Sequence, residues 1–112
     1  MNVSTRIREG IAIIDLQGKI GIGKGDIALR DAFDHAVEAG ATKVLFNFDK
    51  VKSMDSSGMA ELGAAYRKMD DIDGNVSLVN LPTNVGEILR MTQIITVFDV
   101  YQNEDEAIRE MA

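Results

Sequence analysis

The stretch that most limits how this chain can fold is the apolar run Val44-Leu45-Phe46-Asn47-Phe48, together with the helical pattern downstream of it. The run is short and continuous, without the alternation of a half-exposed strand, so it reads as a central strand covered on both faces. Shortly after it, Met59, Leu62, Tyr66 and Met69 recur at spacings of three and four, which predicts a helix over about 56–70. A covered strand leading into an amphipathic helix commits the chain to a sheet with parallel neighbours, joined by helical crossovers.

The rest of the pattern agrees. Ile7-Arg8 and Ile11-Ala12-Ile13-Ile14-Asp15-Leu16 flank Glu9-Gly10, the signature of a tight hairpin. Gly18, Gly21, Gly23 and Gly25 then form a flexible connection. Asp26 is the expected N-cap of a helix over about 27–39, with Leu29, Phe33, Ala36 and Val37 on one face and Gly40 past its end. Val76-Ser77-Leu78-Val79-Asn80-Leu81 reads as another strand, and Pro82 suits the first turn of a helix carrying Val85, Ile88 and Leu89. Val97-Phe98-Asp99-Val100-Tyr101 reads as a last short strand. Asn103 and Glu106 make a capping-box-like start for a final helix with Ile108 and Met111. The expected architecture is α/β: a mixed, mostly parallel sheet of four to five strands with an opening hairpin and about four helices, in one domain over 1–112.

Charge and composition narrow the partners. A net charge of −6 argues against nucleic acid or an anionic membrane surface and favours a basic protein surface. No apolar run approaches the ~20 residues that span a bilayer, so no membrane insertion is expected. The start, Met1-Asn2-Val3-Ser4-Thr5-Arg6, lacks the apolar centre of a signal peptide. The chain has no cysteine, which rules out disulfides and thiolate metal sites and fits a reducing cytoplasm.

Most candidate chemistry dissolves on inspection. The lone histidine, His35, sits among Asp31, Asp34 and Glu38 as on a solvated helix face. Gly58 follows directly on Ser57, so Gly-x-Ser-x-Gly is absent, and no catalytic residue is assigned. Gly18 to Gly25 fits G-x-x-x-x-G-K, yet Gly25 stands where a phosphate-binding loop needs a Ser or Thr hydroxyl for Mg²⁺. That stretch reads as a glycine-rich turn, with a weak nucleotide contact left open. Asp71-x-Asp73-x-Asn75 starts like a calcium loop, but Val76 and Pro82 occupy its required Gly and Glu positions. No metal or cofactor is expected.

Asp55-Ser56-Ser57-Gly58 is different. Asp and Ser are favoured N-caps, because their oxygens accept the orphan N–H groups of a helix start. Yet two adjacent hydroxyls exceed what one cap needs. Gly58 in the first turn costs roughly 0.5–1 kcal/mol of helix propensity, and would let a backbone or a phosphate come close. The motif also comes after the central strand, at the carboxyl end where open α/β sheets place their sites.

With "LQGKI", "VLFNFDKVKSMDSSGMAEL" and "VSLVNLPTNVGEILRMTQIITVFDVYQNEDEAI", the chain resembles, over nearly its whole length, the STAS domains of bacterial anti-sigma factor antagonists (anti-anti-sigma factors) and of sulfate-transporter tails. The resemblance implies a phosphoprotein of transcription regulation that works by partner switching and is not itself an enzyme. In such antagonists the serine directly after the aspartate is phosphorylated by a partner anti-sigma factor, which is a serine kinase. By position this is Ser56, with Asp55, Ser57 and Gly58 supporting it. The unphosphorylated form binds the kinase and frees a sigma factor, phosphorylation ends the binding, and a serine phosphatase resets the cycle. The resemblance also implies partner contacts at Lys19, Gly21, Gly23 and Met59. Here the chain departs from its kin: many members carry a Gly-Glu-Leu-Asp-like sequence where this one has Gly18-Lys19-Ile20-Gly21-Ile22-Gly23. Related domains also serve as scaffold parts of stress-sensing assemblies or as subunits of lipid transporters, and these, with weak nucleotide binding, are the alternative roles.

Overall fold

The computed structural model describes residues 2–112. Five strands form one sheet in the order β1-β2-β3-β4-β5. β1 (Asn2–Arg8) and β2 (Ile11–Ile20) are the antiparallel hairpin, turning through Glu9 and Gly10, both at positive φ as a tight primed turn requires. β3 (Lys43–Met54), β4 (Asn75–Val79) and β5 (Asp99–Tyr101) add in parallel. Four helices alternate with them: α1 (Gly25–Glu38), α2 (Ser56–Asp71), α3 (Thr83–Met91) and α4 (Glu104–Met111).

The central strand is covered on both faces, as its apolar run demands. Val44, Phe46 and Phe48 pack with Ala12, Ile14 and Leu16 under α1, α2 and α3, which contribute Leu29, Phe33, Leu62, Met69, Val85 and Leu89. The rings of Phe33 and Phe46 stack at 6.0 Å between centroids. On the opposite face Leu45 joins Ile11, Ile13 and Val79 beneath Ala107, Ile108 and Met111 of α4. Each fully buried side chain of this size contributes about 1.5–3 kcal/mol, so the larger cluster dominates the stability.

Several boundaries differ from the sequence expectation. β3 runs on to Met54, because Val51 and Met54 still point into the core while Asp49, Lys50 and Lys52 face water on a stretch that α4 does not cover. β2 likewise extends to Ile20, so Gly18 lies within a strand and not in the connection. α1 begins at Gly25 with Lys24 at the N-cap position, and Asp26 sits inside the first turn. Gly25 sets that start: a Cβ there would lie 2.7 Å from Ile20 Cα and 2.8 Å from the Lys19 carbonyl oxygen, so the helix begins pressed against the end of β2. β4 stops at Val79 because Asn80 turns to a φ of 59°. Pro82 is the residue before α3, one position earlier than expected. Val97 belongs to a 3₁₀ turn over Ile94–Val97 that precedes β5.

The register positions the site. Ile20 pairs with Met54, so β2 and β3 end side by side, and the chain leaves both at the same edge. The β2–α1 loop and the start of α2 therefore meet, although they are over thirty positions apart in sequence.

Candidate functional site: the α2 N-terminus and the β2–α1 loop

Asp55 is the N-cap of α2, in extended conformation at φ −98° and ψ −174°. Its Oδ1 accepts from the Ser57 N–H at 2.9 Å and the Gly58 N–H at 3.3 Å, which satisfies two orphan donors of the helix start. The Ser57 hydroxyl donates to the same oxygen. The other oxygen turns away from the helix and accepts from the Ile22 N–H, in the β2–α1 loop, at 3.1 Å. The backbone repeats the link, with the Asp55 N–H donating to the Ile20 carbonyl at 3.1 Å. The Ser57 hydroxyl, followed by the N–H groups of Gly58, Ser57 and Ile22, holds the Asp55 carboxyl below the usual carboxylate range.

The two serines are unequal. Ser57 is half-buried and tied to Asp55 through both N–H and hydroxyl. Ser56 is exposed, and among the described residues its hydroxyl makes no hydrogen bond. It is the first residue of α2, and no acidic side chain occupies the first turn after the cap. A free hydroxyl thus stands at the positive end of a helix, where added negative charge is favoured.

Gly58 looks inward. A Cβ there would lie 2.6 Å from Met54 Cγ and 2.7 Å from Ile20 Cγ2, so the missing side chain lets α2 settle on the sheet end. The close approach expected at this glycine is made by two core side chains. Met59, expected among the partner contacts, is 8% exposed and belongs to the main core, with the Thr92 hydroxyl 3.7 Å from its sulfur. The spacing that predicted α2 already placed Met59 on the helix's inner face. Lys19 and Gly23 are exposed, and Gly21 is half-buried against Asp55.

The glycine-rich loop does not present a vacant phosphate cradle. Asp26 accepts from the Gly23 N–H at 2.9 Å and the Ile27 N–H at 2.8 Å, while Asp55 takes the Ile22 N–H. Carboxylates occupy amides that a nucleotide phosphate would need. What sequence reading missed is Ile22 itself. It is 82% exposed at the loop tip, between Gly21 and Gly23. An isoleucine flanked by glycines in an otherwise polar turn was the available signal; the pairing with Asp55, across 33 positions, had none.

Comparison with known proteins places the fold. A family model described as STAS domain matches residues 2–107. An anti-sigma F factor antagonist of Paenibacillus polymyxa is 20% identical over 112 residues, covering 99% of this chain and 95% of the relative. An anti-sigma factor antagonist from Mycobacterium paratuberculosis has a similar structure, with a TM-score of 0.88 at 19% identity, covering 98% of this chain and 92% of that one. The Bacillus cell fate determinant SpoIIAA in its phosphorylated form matches with a TM-score of 0.78 at 20% identity, over 99% of this chain and 100% of that one. At such identities the structural likeness speaks for the fold. With a mixed five-stranded sheet, four helices and a family match running almost end to end, this chain belongs to the STAS domain family.

Proposed function

We propose that this protein is an anti-sigma factor antagonist. In its unphosphorylated state it binds a partner anti-sigma serine kinase and so frees a sigma factor; phosphorylation of Ser56 ends the binding. The observation that carries this reading is the contrast between the serines: Ser57 is committed to the cap, and Ser56 is exposed with a free hydroxyl at a helix start. The name of the Paenibacillus relative and the match to a phosphorylated SpoIIAA support it. In this cycle the protein is a substrate and a binder, ATP comes with the kinase, a serine phosphatase restores the free form, and the setting is cytoplasmic.

The physics of the switch is local. Phosphate on Ser56 adds about −1.5 to −2 charges and three acceptor oxygens. At an exposed helix start this charge is stabilised by ~0.3–1 kcal/mol, so the fold tolerates it. Inside an interface the same charge, desolvated and unpaired, costs several kcal/mol. Each ~1.4 kcal/mol is tenfold in affinity, so two such steps release the partner. Exposed Lys19 and Gly23, with half-buried Gly21 between them, belong to the same docking face; Met59 does not.

The test is to incubate the protein with the candidate kinase and ATP and to map phosphate by mass. The expected result is modification at Ser56, abolished in Ser56→Ala, with Ser57→Ala still modified. Phosphate on Ser57 alone, or none together with unchanged partner binding by Ser56→Asp, would remove the reading.

A further inference from the structure

The two edges of the sheet are built differently. β5 closes one side with three residues, Asp99–Tyr101. β1 closes the other with seven, Asn2–Arg8, paired to β2 in unbroken register. The hairpin turns through the two residues Glu9 and Gly10, so Arg8 and Ile11 form the hydrogen-bonded pair beside the turn. Antiparallel pairing alternates from there. Arg8, Arg6, Ser4 and Asn2 turn their N–H and C=O groups to β2, while Ile7, Thr5 and Val3 turn theirs outward. Among the described residues, no backbone group outside the ladder bonds those outward groups. The devices that commonly blunt an exposed edge are not used on β1, which has no Pro, Lys or bulge. Arg6 and Arg8 are drawn to the α4 side by Asp15, Glu104 and Asp105. The outward residues carry their side chains on the α1 side: half-buried Val3, exposed Thr5, and Ile7 at 68% exposure. Ile7 stands at a recess of about 260 Å³ floored by Ala12, Ala36, Ala39 and Ala41.

We propose that β1 pairs antiparallel with β1 of a second copy of this chain, centred on Thr5, so that the two sheets run on as one. This register uses every outward residue. Thr5 meets its own counterpart on the two-fold axis, and Val3 meets Ile7 of the second copy, each pair exchanging two N–H···O bonds. On the α4 side, Arg6 falls opposite Ser4 and Arg8 opposite Asn2. Moving the centre to Arg6 would set like charges against each other. Moving it to Ser4 carries Ile7 past the described start of the facing strand. The strip is thus its own complement, which singles out a second copy over an unrelated strand. Each copy carries a net charge of −6, yet β1 holds no acidic side chain, so that charge is kept off the seam. The helices fit as well. α1 lies over β1 and β2 alike. With strands ~4.8 Å apart, the two copies of α1 stand about 10 Å apart across the seam, the ordinary packing distance of helices. A strip ~24 Å long and ~20 Å deep, one strand and one helix, buries on the order of 1,000 Å² over both copies. That is the lower bound of a specific interface, so a dimer in exchange with monomer is expected.

The test uses the full chain alone and does not depend on Ser56 or its kinase. Sedimentation equilibrium from micromolar to millimolar concentration is expected to show the mass of a dimer forming within that range. Hydrogen exchange at the Val3, Thr5 and Ile7 amides should slow as the concentration rises. Thr5→Pro removes one outward N–H and no bond to β2, so the hairpin keeps its ladder. Ile7→Lys is the second variant; it adds a charge at the seam and leaves every backbone group in place. Each should weaken dimerisation tenfold or more, about 1.4 kcal/mol, with the thermal midpoint of the dilute monomer unchanged for Ile7→Lys. A monomer over the whole range would overturn the proposal, whether or not the edge accepts a strand of another protein. So would a dimer in which the three amides exchange at an unchanged rate, or one that Ile7→Lys leaves at full affinity.

Discussion

Helices α2 and α4 begin alike and then diverge. Each starts from an extended residue whose side chain accepts first-turn amides, Asp55 for α2 and Asn103, from Glu106 N–H at 2.8 Å, for α4. After the cap, α4 carries Glu104, Asp105 and Glu106 in its first turn, and α2 carries no acidic side chain there. The α4 acids are also answered by cations: Glu104 bonds both Arg6 and Arg8, and Arg8 reaches Asp105 at 3.1 Å. Arg6 continues to Asp15, and Asp15 accepts from Asn47 at 2.8 Å, so α4 is stitched across the open sheet face. One helix start has already received its negative charge and is tied down by it. The other offers the same dipole to a small neutral hydroxyl, which is the condition a phosphorylation switch requires.

Changes at the two helix starts should therefore differ in kind. The largest effect is expected from Ser56→Asp, which lowers partner affinity about 100-fold, or ~2.7 kcal/mol, with no loss of thermal midpoint; calorimetric titration beside a melting curve checks both. Next comes Gly58→Ala, whose new methyl group meets Met54 and Ile20. It should destabilise by about 2 kcal/mol in denaturant unfolding and leave Ser56 reactive.

Removing the α4 cap with Asn103→Ala costs about 1 kcal/mol. Asp55→Ala should lower the midpoint further than Asn103→Ala does, because it frees the Ser57, Gly58 and Ile22 amides together. The smallest effect is Glu104→Gln. Its ion pairs are partly exposed and screened, so the loss stays under ~1 kcal/mol and shrinks in high salt.

Acid separates the two caps as well. The carboxyl of Asp55 is held below its ordinary value, so its contribution to stability is complete above the unfolded value near 4 and is lost as pH falls through the lower folded value. Asn103 does not titrate. Acid unfolding of Asp55→Asn should accordingly show a shallower pH slope below about pH 4 than wild type. Glu104 and Asp15, both lowered chiefly by Arg6, supply the slope that remains.

The fold was legible wherever apolar residues carried the pattern. The Val44–Phe48 run, the spacing from Met59 to Met69 and the Glu9-Gly10 turn each predicted the element that formed. Legibility failed where one sheet face meets water: Asp49, Lys50 and Lys52 alternate with buried Val51, which makes the end of β3 look like a loop. The cap of α2 could be read because capping is local. Its second bond, from Ile22, could not, since it depends on β2 and β3 ending together. The same holds for Arg6 and Glu104, joined across 98 positions by the placement of α4 over the hairpin. At Met59 the helical period alone predicted the inner face of α2, and the side chain is buried there.

Helix α2 is expected to accept a phosphate on Ser56 without harm to the fold, while the partner does not. The direct measurement is the thermal midpoint and the anti-sigma partner affinity of the protein with phosphoserine at 56, set against the unmodified protein. A midpoint within about 2 °C together with an affinity at least 100-fold weaker is the predicted result. A midpoint lowered by more than about 5 °C, which for a chain of this size means roughly 1 kcal/mol of lost stability, or an affinity left unchanged, would contradict it.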